Sequence, residues 1–527
     1  LSADSYILTI DLGTSGAKVA LVATSSRVVA RAFEPVSLQL LPDGGAEQDP
    51  DQWWTAVVKA ARRALGQAAV PLDEIAAVGV TSHTASVVPV GHDGKPVMNA
   101  MMWMDSRGAP QVKEVTSGLV RVRGYGLWKG LRWLNLTGGI PARAGTDTLS
   151  HILWMKAMHP ERYQATAKFL EPKDYINYLL TGKSFCTVDS VATYWLTDNR
   201  NLGRVDYHPW LLAKTDIDRD KLPDIRHATD VIGVLTPEVT SILGLPRQIP
   251  VVGGASDMQS AAIGSGAVAD FEGHLYIGTS AWITCHVPFK KTSILDSIAS
   301  IASAIPGRYV VGTAQASAGA CLTFLHDKLF FDGSASPEAK ALDRVIYTVL
   351  DEMAARAPAG AGGILFTPWL HGERTPVENH ALRGGFFNLS LNCDRDRIAR
   401  AVFEGVAYNS RWLLGAVERF TRRRFSALRL IGGGAMSPLW CQILADVLDR
   451  PILQVVDPAS ATLRGAAFLA IAALGLRPVA ELAATVEVAA TYTPNTEHRA
   501  LYDKLFKTFL RLYKANRALY TDLNKKE

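Results

Sequence analysis

The sequence predicts an α/β protein of two large domains with a cleft between them. Strands alternate with helices from the N-terminus to about residue 84, a pattern of sheet and covering helix. A strand, a Gly-Thr-Ser tip and a second strand occur twice, at 7–22 and at 275–287, which suggests an internal duplication. A length of 527 residues exceeds what one core of ordinary size holds, so the expected division is 1–249 and 250–527.

Taken in order, "ILTIDLGTSGAKVALV" (7–22) opens the chain with two β-branched runs around Gly13, Thr14, Ser15 and Gly16, the composition of a hairpin with a tight tip. That arrangement differs from the strand-to-helix turn of a Walker loop. Two glycines let backbone N–H groups approach an anion. Asp11 can hold a cation through water beside phosphates, and Lys18 can add a point charge. An ordinary hairpin with a buried Asp and a surface Lys fits those residues equally well. "RVVARAFEPVSLQ" (27–39) reads as a further strand, and "DPDQWWTAVVKAARRALGQAA" (49–69) has helical apolar spacing behind an Asp-Pro-Asp start. "IAAVGVTSH" is a buried strand that turns polar at 81–84, and strand ends in such sheets are where ligands bind. Residues 126–200 read as mainly helical.

A second beginning falls near residue 250. "QIPVVGGASDMQSAAIGSGAV" is a strand, a glycine turn and a small-residue helix entered by Asp257, and "LYIGTSAWITCHV" repeats the opening hairpin. Gly13–Gly16 and Gly278–Ser280 would then face one polyphosphate from opposite walls. In "ALRLIGGGAMSPLWCQILADVLDRPI" (427–452) a strand meets Gly432, Gly433 and Gly434 before a helix, a place where a flat ring can approach the backbone. Packing at a strand-helix junction would also account for those glycines. The closing run "LYDKLFKTFLRLYKANRALYTDL" is a packing helix.

Composition narrows the function classes. A net charge of +5 over this length carries no nucleic-acid signature, and the basic run "RFTRRRF" (419–425) fits a helix C-terminus. Five scattered cysteines, none at metal-ligand spacing, suit a reducing cytoplasm and no structural zinc. The longest apolar run, 465–476, is too short to span a bilayer. The expectation is a cytoplasmic protein without a membrane anchor.

Eight stretches in order, "DLGTSGAK", "WMDSRG", "DYINYLLTG", "GGASDMQSAAIGSG", "IGTSAW", "HGERTP", "RAVFEGVAYNS" and "GGGAMSPLWCQILADVL", make the chain resemble the FGGY family of carbohydrate kinases, from about Tyr6 to about Tyr520. "LRWLNLTGG" and "SHILWMK" are most similar to its xylulose kinase branch. The resemblance implies two actin-like, RNase H-like ATPase domains, ATP and Mg²⁺ as cofactors, a small sugar or polyol as partner, no nucleic acid or membrane, and admits a homodimer. It assigns Asp11 to magnesium, Gly13, Thr14, Ser15 and Lys18 to one phosphate hairpin, and Gly278, Thr279 and Ser280 to the other. Gly319 matches a nucleotide-contacting turn, and Gly433, Gly434, Met436 and Ser437 match the adenosine site. Asp257 matches the catalytic base; Ser82, His83, Thr84, Trp103, Asp105 and Met258 would wall the sugar pocket with it. The sugar side departs from the family pattern: Ser82-His83-Thr84 stands for Met-His-Gly, His151 for a Lys, and Met258 for a polar residue. Asn388 and Arg397 replace the usual glycine and polar residue of the second family signature.

The implied reaction moves a γ-phosphoryl group to a hydroxyl, which needs alignment and cationic stabilisation more than covalent participation. A pentulose such as D-xylulose is the expected acceptor, with ribulose, erythritol, gluconate and glycerol as alternatives. An actin-like or chaperone-like ATPase is the reading from another class, and a degenerate kinase that only binds sugar is a third. Asp105 with Arg107 is either a pocket contact or an internal ion pair, and His83 either touches substrate or satisfies a buried strand end.

Overall fold

The computed structural model describes residues 5–246, 248–330 and 343–524. Its first lobe is built on a six-stranded sheet. The strands are β1 (Tyr6–Gly13), β2 (Gly16–Ala23), β3 (Val28–Pro35), β4 (Ile75–Ser82), β5 (Val231–Val234) and β6 (Pro250–Ser256), in the spatial order β5-β6-β4-β1-β2-β3. β1 and β6 both run parallel to β4, while β2 and β3 continue from β1 as an antiparallel meander. Alternation along β1 separates two faces. Leu8, Ile10 and Leu12 join the cluster that contains Trp53, Val57 and Ala61 of helix α1 (Pro50–Gln67), whereas Ile7 belongs to a cluster on the opposite side. Asp11 has the parity of Ile7, so the face opposite α1 carries the carboxylate. Asp49 caps α1 by accepting from the Asp51 N–H at 2.9 Å.

The chain boundary expected at 249/250 does not follow the sheet. β6 is hydrogen-bonded between β5 and β4, so the chain leaves the first sheet only after Ser256. Helix α2 (Pro172–Thr181) fixes β6 from the side: Asn177 Nδ2 and Lys173 Nζ both donate to the Gly253 carbonyl, at 2.9 and 3.0 Å. Asp257 therefore stands at the edge of the first lobe, at the start of helix α3 (Asp257–Gly264).

The second lobe has a five-stranded sheet. β7 (Gly273–Ile277), β8 (Ala281–Thr284), β9 (Leu428–Ile431), β10 (Ile452–Val455) and β11 (Val488–Tyr492) lie in the order β8-β7-β9-β10-β11. Here too an antiparallel hairpin, β7–β8, precedes parallel neighbours, β9 and β10. Helices α4 (Arg395–Thr421) and α5 (Pro438–Leu448) build its core, and the long α7 (Arg499–Leu523) seats Tyr502, Leu505 and Phe509 in it. The basic run expected at a helix end lies there: α4 stops at Thr421, and Arg422 takes the left-handed cap with φ 55°.

Helix α6 (Ala461–Ala473) joins the lobes. It follows β10 in the chain, yet Leu463, Ala467, Phe468 and Ile471 pack with Ile7, Val22, Ala77 and Val252 of the first sheet. It crosses α3 backbone to backbone. A Cβ on Gly465 would lie 1.9 Å from the Ser260 carbonyl oxygen, and one on Gly264 1.8 Å from that of Ala461, so neither position accepts a side chain.

Candidate active site

The first hairpin pairs Asp11 with Lys18 across the ladder and closes on Gly13 opposite Gly16. Gly16 is required by crowding: a Cβ there would stand 2.2 Å from the Glu34 carbonyl oxygen. Thr14 is tied sideways, its carbonyl accepting from Gln48 Nε2 at 2.8 Å and its hydroxyl from Trp103 Nε1 at 3.0 Å. Ser15, next along, is exposed at the tip.

Asp11 is buried, with Lys18 Nζ 3.6 Å from its Oδ2. Strand register places Asp257 relative to this pair. Leu12 is level with Ser82 on β4, and Ser82 with Ser256 on β6, so Asp257 follows Ser256 about two strand spacings, roughly 10 Å, from the end of β1. Its helix start is fixed by Asp189 Oδ2, which accepts the Ser256 N–H at 2.8 Å. Oδ1 of Asp257 accepts the Met258 N–H at 2.6 Å. Burial, and then the negative charge of Asp11, push the Asp257 carboxyl up to about 7, against the opposing pull of Lys18. The side chain remains partly accessible, which puts it on the cleft floor rather than in a sealed core.

The residues expected around a sugar fall into two groups. His83 and Trp103 line the wall beside the first hairpin. Burial holds the His83 imidazole at about 4, hence neutral; Nδ1 donates to the Leu12 carbonyl at 2.9 Å, which leaves Nε2 as a lone-pair acceptor. That Nε2 is buried without a hydrogen-bond partner. Ser82 donates to the His83 carbonyl at 2.8 Å, and Thr84 and Met258 are half-buried. Asp105 is spent locally: Oδ1 accepts from the Arg107 backbone N–H at 3.0 Å, while Oδ2 accepts from Ala46 N–H at 3.1 Å and Arg107 Nη2 at 2.6 Å. Arg107 also reaches Glu47 at 2.7 Å and lies 4.0 Å over the Trp154 ring. His151, fully buried and driven below its ordinary value by desolvation, donates through Nε2 to the Asp105 carbonyl at 3.1 Å.

The second hairpin is pinned to a turn of helix. The Gly319 N–H donates to the Gly278 carbonyl at 2.7 Å and the Ala318 N–H to that of Thr279 at 2.9 Å, while Thr279 stays exposed and Ser280 half-buried. Ile431 and Tyr276 are level on β9 and β7, which sets the Gly432–Gly434 turn beside Gly278 at the same sheet edge. Gly432 has φ 89° and would drive a Cβ to 2.5 Å from the Ile277 carbonyl oxygen; Gly433 has nothing within 4 Å. Met436 is exposed, and Ser437 is the α5 N-cap, accepting from the Trp440 N–H at 2.9 Å.

Sequence reasoning missed the connection between the walls. "HGERTP" was recognised as a motif without roles for its charges. Glu373 is buried, pushed up to about 7 by desolvation, and accepts from the Ala316 N–H at 3.1 Å and Asn409 Nδ2 at 2.6 Å. The neighbouring Arg374 guanidinium sits 6.0 Å from the Trp103 ring centre. Contacts therefore run from Thr14 through Trp103 and Arg374 to Glu373 and the irregular segment 313–318 before Gly319.

Two family profiles match the chain, that of the FGGY family of carbohydrate kinases, N-terminal domain, over residues 6–264, and the C-terminal domain over 275–474. A xylulose kinase of Escherichia coli is 30% identical over 510 residues, covering 96% of this chain and 98% of the relative. A ligand-bound xylulose kinase structure from Lactobacillus acidophilus superposes with a TM-score of 0.85 at 26% identity, covering 99% of this chain and all of that one (100%). A gluconate kinase structure from the same species gives a TM-score of 0.84, also at 26% identity, covering 99% and 100%.

Proposed function

The chain belongs to the FGGY family of carbohydrate kinases, and from that membership we propose that it phosphorylates a pentulose, D-xylulose, with Asp257 as general base and Mg-ATP between the two hairpins. The observation that carries the reading is Asp257 itself: partly accessible at a helix start, within electrostatic reach of Asp11 and Lys18, and poised near neutrality by burial. With Oδ1 held by Met258, Oδ2 takes the proton from the substrate hydroxyl as its oxygen bonds to the γ-phosphorus and the bond from that phosphorus to the β,γ-bridging oxygen breaks, leaving ADP. Lys18 and backbone N–H groups of the Gly13–Gly16 tip and of Thr279 and Ser280 receive the charge on the transferring phosphate. Gly433, Gly434 and Met436 form the shelf for the adenine, with Gly319 at the phosphates of the second lobe.

Asp11 would hold a magnesium ion through one carboxylate, for which Lys18 at 3.6 Å competes, so the ion would be held largely through water. Bound there, the ion would neutralise charge on the phosphates. On the acceptor side, His83 Nε2 takes a hydroxyl hydrogen bond and Trp103 forms the flat wall, while Asp105 acts through Arg107 to hold that wall in place. An aldonate such as gluconate is the second reading, favoured by Arg374 beside Trp103, since Arg107 is already neutralised by Asp105 and Glu47.

ADP release measured with D-xylulose, D-ribulose, erythritol, gluconate and glycerol tests this. The expected result is the highest kcat/KM with D-xylulose. A higher value with gluconate selects the second reading, and steady hydrolysis stimulated by none of them would return the protein to the ATPase class.

A further inference from the structure

On the side of the second lobe away from the hairpins, α4, α5 and α7 border an open cavity of about 350 Å³. Five arginines line it, from four separate stretches of chain: Arg411 and Arg419 on α4, Arg424 beyond it, Arg450 after α5, and Arg499 at the start of α7. The carboxylates available to them are shared. Asp449 meets Arg424, Arg450 and Arg499, Asp503 meets both Arg411 and Arg499, and Glu418 is taken by Arg450. With Asp296 pairing Arg419 from outside, five guanidinium groups face four carboxylates.

One donor is left over where it costs most. Arg411 Nη1 is buried and has no hydrogen-bond partner, although Nη2 of the same group is on Asp503. The guanidinium plane lies 4.6 Å over Phe506, which holds it in place. Trp412 and Leu510 add apolar surface to the same cavity. A planar, fixed guanidinium with a spare donor, among further arginines and beside an aromatic surface, is suited to a phosphate with an organic part attached. The site is distinct from the cleft: α5 runs from the Gly432–Ser437 turn to Leu448 at the cavity, and its 11 residues span about 16 Å.

We propose that this cavity binds a phosphate-bearing small molecule, with the phosphate on Arg411 and Arg499 and the organic part against Trp412 and Leu510. Calorimetric titration of the full chain with inorganic phosphate, ribose 5-phosphate and AMP, the cleft kept saturated with Mg-ADP, tests it. The expected result is saturable binding of inorganic phosphate and tighter binding of one ester; AMP above ribose 5-phosphate identifies a nucleotide as the source, and the reverse a sugar phosphate. Arg411→Gln weakens each by about tenfold and the exposed Arg424→Gln by about threefold, while kinase turnover without added phosphate ester is unchanged. The second variant retains the buried pairs and serves if the first folds poorly. Absence of saturable binding to the wild-type chain, or wild-type affinity in whichever of the two variants folds, overturns the proposal.

Discussion

At the first hairpin the ladder sets Asp11 opposite Lys18; at the second, the rung before Ile277 and Ala281 holds Tyr276 stacked on Trp282, ring centres 3.8 Å apart and planes within 9°. The two lobes share a backbone device, a glycine-tipped antiparallel hairpin beside a parallel strand, and differ in what they hang on it. Every ionisable group assigned to the chemistry, Asp11, Lys18 and Asp257, lies on the first lobe, while the second supplies backbone donors and an uncrowded turn at Gly433. Under the proposed function, proton transfer belongs to the first lobe and the adenosine shelf to the second, and substitutions should divide along the same line.

The sharpest test is Asp257→Asn. Turnover should fall about 100- to 10,000-fold, with the nucleotide dissociation constant changed by less than about twofold. Comparable loss of turnover from Thr279→Ala on the second tip would break the asymmetry. The same substitution has a stability signature whose sign follows from burial. The Asp257 carboxyl is raised to about 7 in the folded protein against about 3.9 unfolded, so its contribution is fully present below about pH 4 and is lost as pH rises through about 7. Thermal unfolding without nucleotide or magnesium should therefore show Asp257→Asn more stable than the parent at pH 8 by a few degrees, with the gain gone at pH 4. A melting difference independent of pH would mean that the carboxyl is not desolvated there.

Asp11→Asn comes next, at about 100-fold in turnover. Because Asp11 is a named cause of the raised Asp257 value, the acid limb of the kcat/KM profile should shift below about pH 7 in this variant. An unshifted limb would separate the two carboxylates and remove the electrostatic link on which the first lobe depends.

Much of this was legible in the sequence because it is local. Gly-Thr-Ser between β-branched runs specifies a hairpin wherever it folds, and Ser256-Asp257 before a small-residue stretch specifies a helix start. What could not be read depends on partners far along the chain. Nothing in "PVVGGAS" states that it pairs beside 75–82, because a parallel strand chooses its neighbour through the crossover and not through its own residues, and the expected boundary at 249/250 failed for that reason. The apolar run 465–476 states nothing about its partner, yet most of it belongs to helix α6, whose face lies on the first sheet. Asp105 and Arg107 left two readings open until Glu47 and Ala46 were seen to complete the pair. Arg374 went unassigned since its contact, Trp103, lies in the other half of the chain.

Glycines at the lobe junction and on the nucleotide turn rank below the carboxylates in expected effect, and they contrast with each other. Gly465→Ala places a methyl group 1.9 Å from the Ser260 carbonyl oxygen, so α3 and α6 must separate; a loss of about 1–3 kcal/mol in unfolding free energy is expected by denaturant titration, together with lower turnover because α3 carries Asp257. Gly433→Ala meets no atom within 4 Å and its stability should stay within about 0.5 kcal/mol of the parent. The methyl group would nonetheless stand where the proposed adenine shelf lies, raising KM for ATP about three- to tenfold while kcat at saturating ATP stays within about twofold, since orientation of the γ-phosphate belongs to the other hairpin. If Gly433→Ala leaves KM for ATP untouched, the second lobe does not receive the ring at this turn, and the division of labour between the lobes loses its nucleotide half.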